Sequence, residues 1–157
     1  MKTILLAIGK TDSPYIQTGI ADYVSRLSHY IPFDFQILPD VKNVKNMTEE
    51  QQKVAEGKLI LQQVDNSDLL ILLDEGGKMF SSREFAQYFV KTTLSGVRRA
   101  VFVIGGPYGF SQDVYARANA KVSLSPMTFS HQMVRLIFIE QLYRAQTIIK
   151  GEPYHHD

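Results

Sequence analysis

Three short segments in the last third of the 157-residue chain concentrate residue types that bind ligands or transfer protons. The first is a glycine cluster, Gly105–Gly109, which directly follows a β-branched apolar run. The second is a loop of small and apolar residues, 124–130, which leads to His131 and Arg135. The third is the ending Tyr154-His155-His156. Packing alone does not require so many glycine, serine and imidazole groups, so we expect a functional site here.

The glycine cluster admits two interpretations, a ligand-binding loop or a tight strand-to-helix turn. Glycine lets backbone N–H groups approach a ligand closely. Pro107, however, removes a donor from the middle of the cluster, and the spacing is not G-x-G-x-x-G. No acidic residue ends the following strand to hold a ribose. Gly76-Gly77-Lys78 lacks the spacing of a phosphate-binding P-loop. We therefore expect neither a dinucleotide fingerprint nor a P-loop.

The four histidines show no metal-ligand spacing, so no metal site is expected. His131 stands where the last helix should begin, and a neutral imidazole there can donate to a ligand or cap the helix. Arg135 lies one turn further along the same helix face. No G-x-S-x-G elbow is present, which argues against a Ser–His–Asp triad. The absence of cysteine excludes disulfides and thiolate chemistry and fits a reducing cytoplasm.

Composition indicates one globular domain, residues 1–157, with 45% apolar residues. No apolar run approaches the roughly 18–20 residues that span a bilayer, so we expect no membrane association. The start, Met1–Ala7, is better explained as a buried strand than as a signal peptide. With a net charge of +1, any RNA contact must come from a local patch or from two subunits together.

Strand and helix patterns alternate along the chain, which predicts an α/β fold with a mostly parallel sheet and helices on both faces. Thr48 with Gln51 and Ser81 with Glu84 form capping boxes, and Ser111 can cap a short helix. The predicted strands are 3–8, 33–38, 69–73, 101–104 and 122–124. The predicted helices are 16–27, 48–64, 81–94, a short one after 111, and 131–150, capped by Ser130 and ended by Gly151.

Ligands bind at the carboxyl ends of the strands in such sheets. Three loops with unusual composition occupy that position, after Leu73, after Ile104 and after Leu124. We therefore expect these loops to form one site.

The last helix is apolar nearly all round in its first two turns, over residues 133–139, with only Arg135 interrupting. One sheet face cannot bury such a helix completely. A two-fold homodimer is the simplest prediction. The alternative is a helix fully enclosed by its own domain.

Several separated motifs resemble the RlmH-type (YbeA-type) rRNA methyltransferases of the SPOUT superfamily, over essentially the whole chain. They are Val103–Gly109, Leu124–Arg135, Glu140–Ala145 and the Pro153-Tyr-His155 ending, with supporting likeness at Leu5–Lys10, Tyr23, Ile37–Pro39 and Leu73–Lys78.

The resemblance implies a C-terminal trefoil knot, a homodimer, S-adenosylmethionine as methyl donor and a cytoplasmic enzyme. Its reaction would be methylation at N3 of a pseudouridine in a large-subunit (23S) rRNA stem-loop, on assembled ribosomes. The knot rests on the resemblance alone, because general topology rules disfavour threading a chain through a loop.

The resemblance also assigns residues. The implied cofactor contacts are Leu73, Gly105, Leu124, Ser125, Pro126, Met127, Thr128 and Phe129. The expected catalytic residues are His131, Arg135, Tyr154 and His155. Ser130 departs from the family, which commonly has proline before the histidine, and this leaves the conformation of that turn open.

Methylation of the pseudouridine at N3 requires loss of the N3 proton. Arg135 can stabilise the resulting anion, and either His131 or His155 can accept the proton. We expect the tail of one subunit to complete the site of the other, with Tyr154 stacking on an unpaired base. The alternative for this tail is a frayed terminus.

Two other functions remain open from the sequence. A non-catalytic ribosome-binding dimer would show no heat of binding with S-adenosylmethionine. A small-molecule nucleotide-binding protein would be indifferent to ribosomes.

Overall fold

The computed structural model describes all 157 residues as an alternation of strands and helices. The strands are β1 (Lys2–Ile8), β2 (Phe33–Leu38), β3 (Leu69–Met79), β4 (Arg99–Ile104) and β5 (Ala120–Ser123). The helices are α1 (Pro14–Leu27), α2 (Glu49–Gln62), α3 (Ser82–Leu94), α4 (Gln112–Arg117) and α5 (Met133–Lys150), with a 3-10 turn at Val44–Asn46.

The five strands form one sheet in the order β2-β1-β4-β3-β5, and every pairing is parallel. Side chains of successive strand residues alternate between two hydrophobic clusters, as the period of two requires. Leu5 belongs to the cluster that α1, α3 and α5 cover, and Leu6 belongs to the cluster beside α2 and α4. The predicted α/β architecture with helices on both faces is confirmed.

Local capping interactions start the helices where the sequence predicts. Thr48 Oγ1 accepts from the Gln51 N–H at 3.1 Å, and the Gln51 side chain accepts from the Thr48 N–H at 3.0 Å. Ser81 and Glu84 repeat this arrangement. Ser111 accepts from the N–H three residues later. These polar side chains satisfy N–H groups that have no partner within the helix.

The end of β3 differs from the prediction. The polar and glycine-rich run after Leu73 was expected to end this strand, and that prediction is wrong because β3 continues to Met79. Its pairing with β5 shifts register, so that both Leu73 and Lys78 pair with Val122. A Cβ atom on Gly77 would lie 2.6 Å from the main chain of Lys121. Glycine is therefore what permits the second contact between the two strands.

The start of α5 also differs slightly, because the helix begins at Met133 after a turn at residues 131–132. Ser130 still caps it, since its Oγ accepts from the Met133 N–H and its carbonyl from the Val134 N–H, both at 3.0 Å. Gly151 ends the helix at φ +70°, as expected for a C-terminal glycine. No helix of the chain is long and apolar enough to cross a membrane.

Candidate functional site

A cleft of about 330 Å³ lies at the carboxyl edge of the sheet, where the segments after β4 and β5 meet residues 73–75 of β3. Its walls include the apolar residues Leu73, Ile104, Leu124, Phe129 and Val134. The three loops expected to form one site therefore do come together.

Most of the predicted cofactor residues line this cleft, namely Leu73, Gly105, Leu124, Ser125, Met127, Thr128 and Phe129. Pro126 is not among the lining residues. Of the expected catalytic residues, His131 lines the cleft, whereas Arg135, Tyr154 and His155 do not.

Side-chain hydrogen bonds hold the cleft together. Thr128 Oγ1 donates to Glu75 Oε1 at 2.7 Å, which joins the loop after β5 to β3. The Tyr115 hydroxyl of α4 donates to Asp74, whose other oxygen accepts from the Gly76 N–H at 2.7 Å. The cleft walls are thus connected before any ligand binds. This reduces the conformational entropy that the loops lose on binding.

The glycine loop is a tight turn that leaves a main-chain donor available. The Gly109 N–H donates to the Gly106 carbonyl at 3.2 Å, and Gly109 adopts φ +86°. The Tyr108 N–H has no acceptor in the protein, and the Gly106 N–H meets only the Gly109 carbonyl across a weak antiparallel bridge. A Cβ atom on Gly105 would lie 3.1 Å from the Phe110 ring. The segment thus combines both sequence interpretations, because it is a tight turn and also lines a cleft.

Two carboxyl groups, Asp74 and Glu75, line the otherwise largely apolar cleft. The pKa of Tyr115 is raised to about 12, first by burial and then by its hydrogen bond to Asp74 and the charge of that carboxylate. Tyr115 therefore remains a neutral donor at physiological pH. Apolar walls next to acidic groups suit a ligand that has both a flat apolar part and a positive charge.

Arg135 lies at the start of α5 but is only 1% exposed. Its guanidinium donates to the carbonyls of Ile8, Gly9 and His131 at 2.8–3.0 Å, and to Thr11 Oγ1 at 3.0 Å. Burial lowers the pKa of Arg135, while the carboxylates of Asp12 and Asp40 oppose that shift. The guanidinium thus connects α5 to the end of β1. Its expected catalytic role stays a prediction.

The C-terminal tail is docked onto α5 rather than frayed. The Tyr154 hydroxyl donates to Glu140 Oε1 at 2.9 Å, and its ring packs edge-on against Tyr143 with centroids 4.8 Å apart. The Arg144 guanidinium lies 4.8 Å from the centre of the Tyr154 ring and 3.2 Å from His155 Nδ1. The tail is therefore held by several independent contacts.

This docking places the tail away from the cleft of the same chain. Glu140 and Arg144 lie seven and eleven residues beyond Met133. At about 1.5 Å of rise per residue, that is roughly 10 to 17 Å along α5. The expected catalytic residues therefore fall into two separate groups within one chain.

Comparison with known proteins identifies the fold family. The family model described as "Predicted SPOUT methyltransferase" matches residues 1–155. The chain belongs to the SPOUT methyltransferase family. It is 62% identical over 156 residues to a protein of Flavobacterium johnsoniae named ribosomal RNA large subunit methyltransferase H, covering 99% of each chain. Proteins of the same name from Christiangramia forsetii and Parabacteroides distasonis are 60% and 57% identical, over 97% and 100% of each chain. The resemblance read from the motifs is confirmed.

Two functional candidates in this SPOUT methyltransferase, Tyr115 and Arg144, are missed by the sequence analysis. Asp74 and Glu75 lie in the loop after Leu73 that the sequence predicts to be part of the site, although neither residue is assigned a role there. Tyr115 and Arg144 are ordinary helix residues by sequence, and only the packing of their helices brings them to Asp74 and the tail. No group of three or more His, Asp or Glu side chains is arranged to hold a metal.

Proposed function

We propose that the chain, acting over residues 1–157 as one domain, methylates N3 of a pseudouridine in a large-subunit rRNA stem-loop on assembled ribosomes. S-adenosylmethionine is the methyl donor, and the enzyme is a cytoplasmic homodimer. The names of the full-length relatives support an rRNA substrate. The observation that carries the proposal is the convergence of the three strand-end loops around one cleft.

The residues of the cleft fit the donor. Leu73, Ile104 and Phe129 offer apolar contact to an adenine ring. The unpaired N–H group of Tyr108 is a donor for one of its ring nitrogens. Asp74 and Glu75 place acidic groups where a sulfonium or ammonium group is favoured. When bound, S-adenosylmethionine supplies a methyl group on a positively charged sulfur.

The contribution of the chain to the reaction is alignment and proton removal. Orientation of reactants for an in-line displacement contributes about 7–11 kcal/mol in favourable cases. His131 lines the cleft and is exposed, so it can accept the N3 proton directly. His155 can do so only from a second subunit. Arg135 can stabilise the anion if it exchanges one of its carbonyl hydrogen bonds for the base.

The separation of tail and cleft supports the proposed homodimer. Tyr154 and His155 lie roughly 10 to 17 Å along α5 from the cleft of their own chain. In a two-fold dimer built on α5, the tail of each subunit can reach the cleft of the other, with Tyr154 stacking on an unpaired base. Ile137 on α5 is partly exposed and belongs to neither hydrophobic cluster. Family membership further supports a C-terminal trefoil knot.

The experiment is mass spectrometry of rRNA from ribosomes that lack the modification, after incubation with the protein and isotope-labelled S-adenosylmethionine. We expect one new labelled methyl-pseudouridine in the large-subunit rRNA. Protein-free rRNA is the matched substrate control and should react poorly. Ribosome binding without label transfer and without heat of S-adenosylmethionine binding would instead establish a non-catalytic ribosome-binding dimer.

A further inference from the structure

A buried carboxyl group lies directly behind the glycine loop of the cleft. Glu56 on α2 is only 4% exposed. A Cβ atom on Gly106 would lie 2.4 Å from both carboxyl oxygens of Glu56. Gly106 itself lines the cleft, whereas Glu56 does not. Glu56 is therefore in close contact with the wall of the cleft from its far side.

This carboxyl group is poorly satisfied by the protein. Glu56 Oε1 has no hydrogen-bond partner, and Oε2 has only a long contact of 3.4 Å to Gln52 Nε2. Ile60, one turn further along α2, belongs to the buried apolar cluster with Phe110 and Val114. Burial raises the pKa of Glu56, and the nearby Asp40 carboxylate adds to the shift. An apolar side chain would be more stable at this position than an unpaired carboxyl group.

Complementary donors lie on the adjacent loop. The Tyr108 N–H has no acceptor in the protein, and the Gly106 N–H meets only the Gly109 carbonyl across a weak antiparallel bridge. Gly106 is in contact with the Glu56 oxygens, and the turn is closed only by the Gly109 N–H bond to the Gly106 carbonyl at 3.2 Å and its weak reciprocal contact. A small shift of this turn would bring a loop N–H onto the unpaired oxygen. An unpaired buried acceptor beside a weakly bonded donor favours a second arrangement of the loop.

We propose that Glu56 is a positioning residue for the cleft: it holds the Gly106 main chain in its ligand-binding position by accepting a hydrogen bond from the Gly106 N–H when the cleft is filled, which leaves the Tyr108 N–H to the ligand. Glu56 does not touch the ligand and acts only through Gly106. The close contact also explains why position 106 has no side chain. This inference rests on the proposed function, in which the cleft binds S-adenosylmethionine.

The first test separates positioning from stability. Glu56→Leu removes the acceptor but fills the same apolar space, so we expect an unchanged or higher melting temperature and about tenfold weaker S-adenosylmethionine binding by calorimetry. Glu56→Gln keeps an acceptor oxygen and should bind within about threefold of wild type. Ile60→Ala, on the same helix and 2% exposed, is the matched control. It should lower the melting temperature and leave affinity nearly unchanged.

The second test uses the contact between Gly106 and Glu56. Gly106→Ala should weaken binding about tenfold or more, because its Cβ would overlap the Glu56 carboxyl group. Combining it with Glu56→Ala removes the obstructing carboxyl group and should restore part of that loss relative to the single Gly106→Ala variant. A double variant that binds no better than Gly106→Ala would overturn the steric part of the inference.

Wild-type affinity in Glu56→Leu, or an equal loss of affinity in Ile60→Ala, would overturn the positioning role. Amide hydrogen exchange of peptides covering residues 105–110 provides a readout that is independent of the ligand's identity. With S-adenosylmethionine present, these amides should exchange more slowly in wild type and in Glu56→Gln than in Glu56→Leu. If wild-type protein shows no heat of binding at all, the proposed donor fails. The inference about Glu56 is then tested by Gly106→Ala and by the double variant that combines it with Glu56→Ala. The readout is the amide hydrogen exchange of residues 105–110 alone.

Discussion

The hydroxyl of Thr128 donates a 2.7 Å hydrogen bond to Glu75 Oε1, although the two residues are 53 positions apart in the chain. Glu75 belongs to the irregular part of β3, and Thr128 belongs to the loop after β5. Both residues line the cleft. This bond therefore fixes the position of one wall of the cleft relative to another.

We expect Thr128→Val to weaken S-adenosylmethionine binding several-fold, because an exposed hydrogen bond contributes about 0.5–1.5 kcal/mol and this one joins the loop to β3. Isothermal titration calorimetry measures the change. Thr18→Val is the control, since that hydroxyl bonds only to the Pro14 carbonyl within α1. Equal affinity in the two variants would show that the bond does not shape the cleft.

The sequence predicts the parts of the fold that depend on local interactions. The capping boxes at Thr48 and Ser81 have their partners within a few residues, and the strands are recognisable as short apolar runs. The local sequence is therefore enough to predict these elements. The extension of β3 depends on the approach of Gly77 to Lys121, which is a tertiary contact that no local pattern records. Glu56 likewise follows a capping box in a helix of polar sequence, and only packing buries it.

For the site, the strand-end rule selects the correct loops because it depends only on topology. It cannot place the tail, whose position depends on Glu140 and Arg144 and on their spacing along α5. It also cannot distinguish a reacting arginine from a structural one. Arg135 has the expected position in the chain, yet its guanidinium is directed to main-chain carbonyls.

We expect Arg135→Met to destabilise the protein by about 3 kcal/mol, because it removes the donor to the buried Gly9 carbonyl and to the partly buried Ile8 carbonyl. Urea unfolding measures this free energy. Arg26→Met, at an exposed position of α1, should change it by less than about 0.5 kcal/mol. If Arg135→Met unfolds like wild type but loses methylation, the guanidinium acts on the substrate rather than on the fold.

The Tyr115–Asp74 hydrogen bond predicts that the protein loses stability at alkaline pH. The pKa of Tyr115 is raised from 10 to about 12 in the folded protein, so its contribution to stability is complete below pH 10. That contribution should be lost as the pH rises from 10 through 12, because ionised tyrosine cannot donate to the carboxylate. Difference ultraviolet titration against Tyr115→Phe measures this pKa. Asp74→Asn should lower it, whereas Tyr15→Phe, at a 68% exposed position, should leave it unchanged.

The proposed dimer is tested at α5. Ile137→Glu places a charge on the partly exposed apolar residue that packs against neither cluster, and should convert the dimer to monomer in sedimentation velocity. Val54→Glu makes the same change on α2, at the opposite face of the sheet, and should preserve the dimer. A wild-type protein that sediments as a monomer at micromolar concentration would reject the two-fold arrangement.

The division of the site between tail and cleft predicts separable losses of function. Deletion of residues 154–157 should abolish methylation of ribosomes and leave S-adenosylmethionine affinity within about twofold of wild type, because the tail contacts α5 and not the cleft. Removing only residues 156–157 keeps Tyr154 and His155 and should retain most activity. A heterodimer of one tail-deleted subunit and one Gly106→Ala subunit should regain up to half of the wild-type rate. In that heterodimer the intact tail belongs to the chain with the damaged cleft. Recovery therefore requires a tail that acts across the dimer, and an inactive heterodimer would show that each tail serves its own chain.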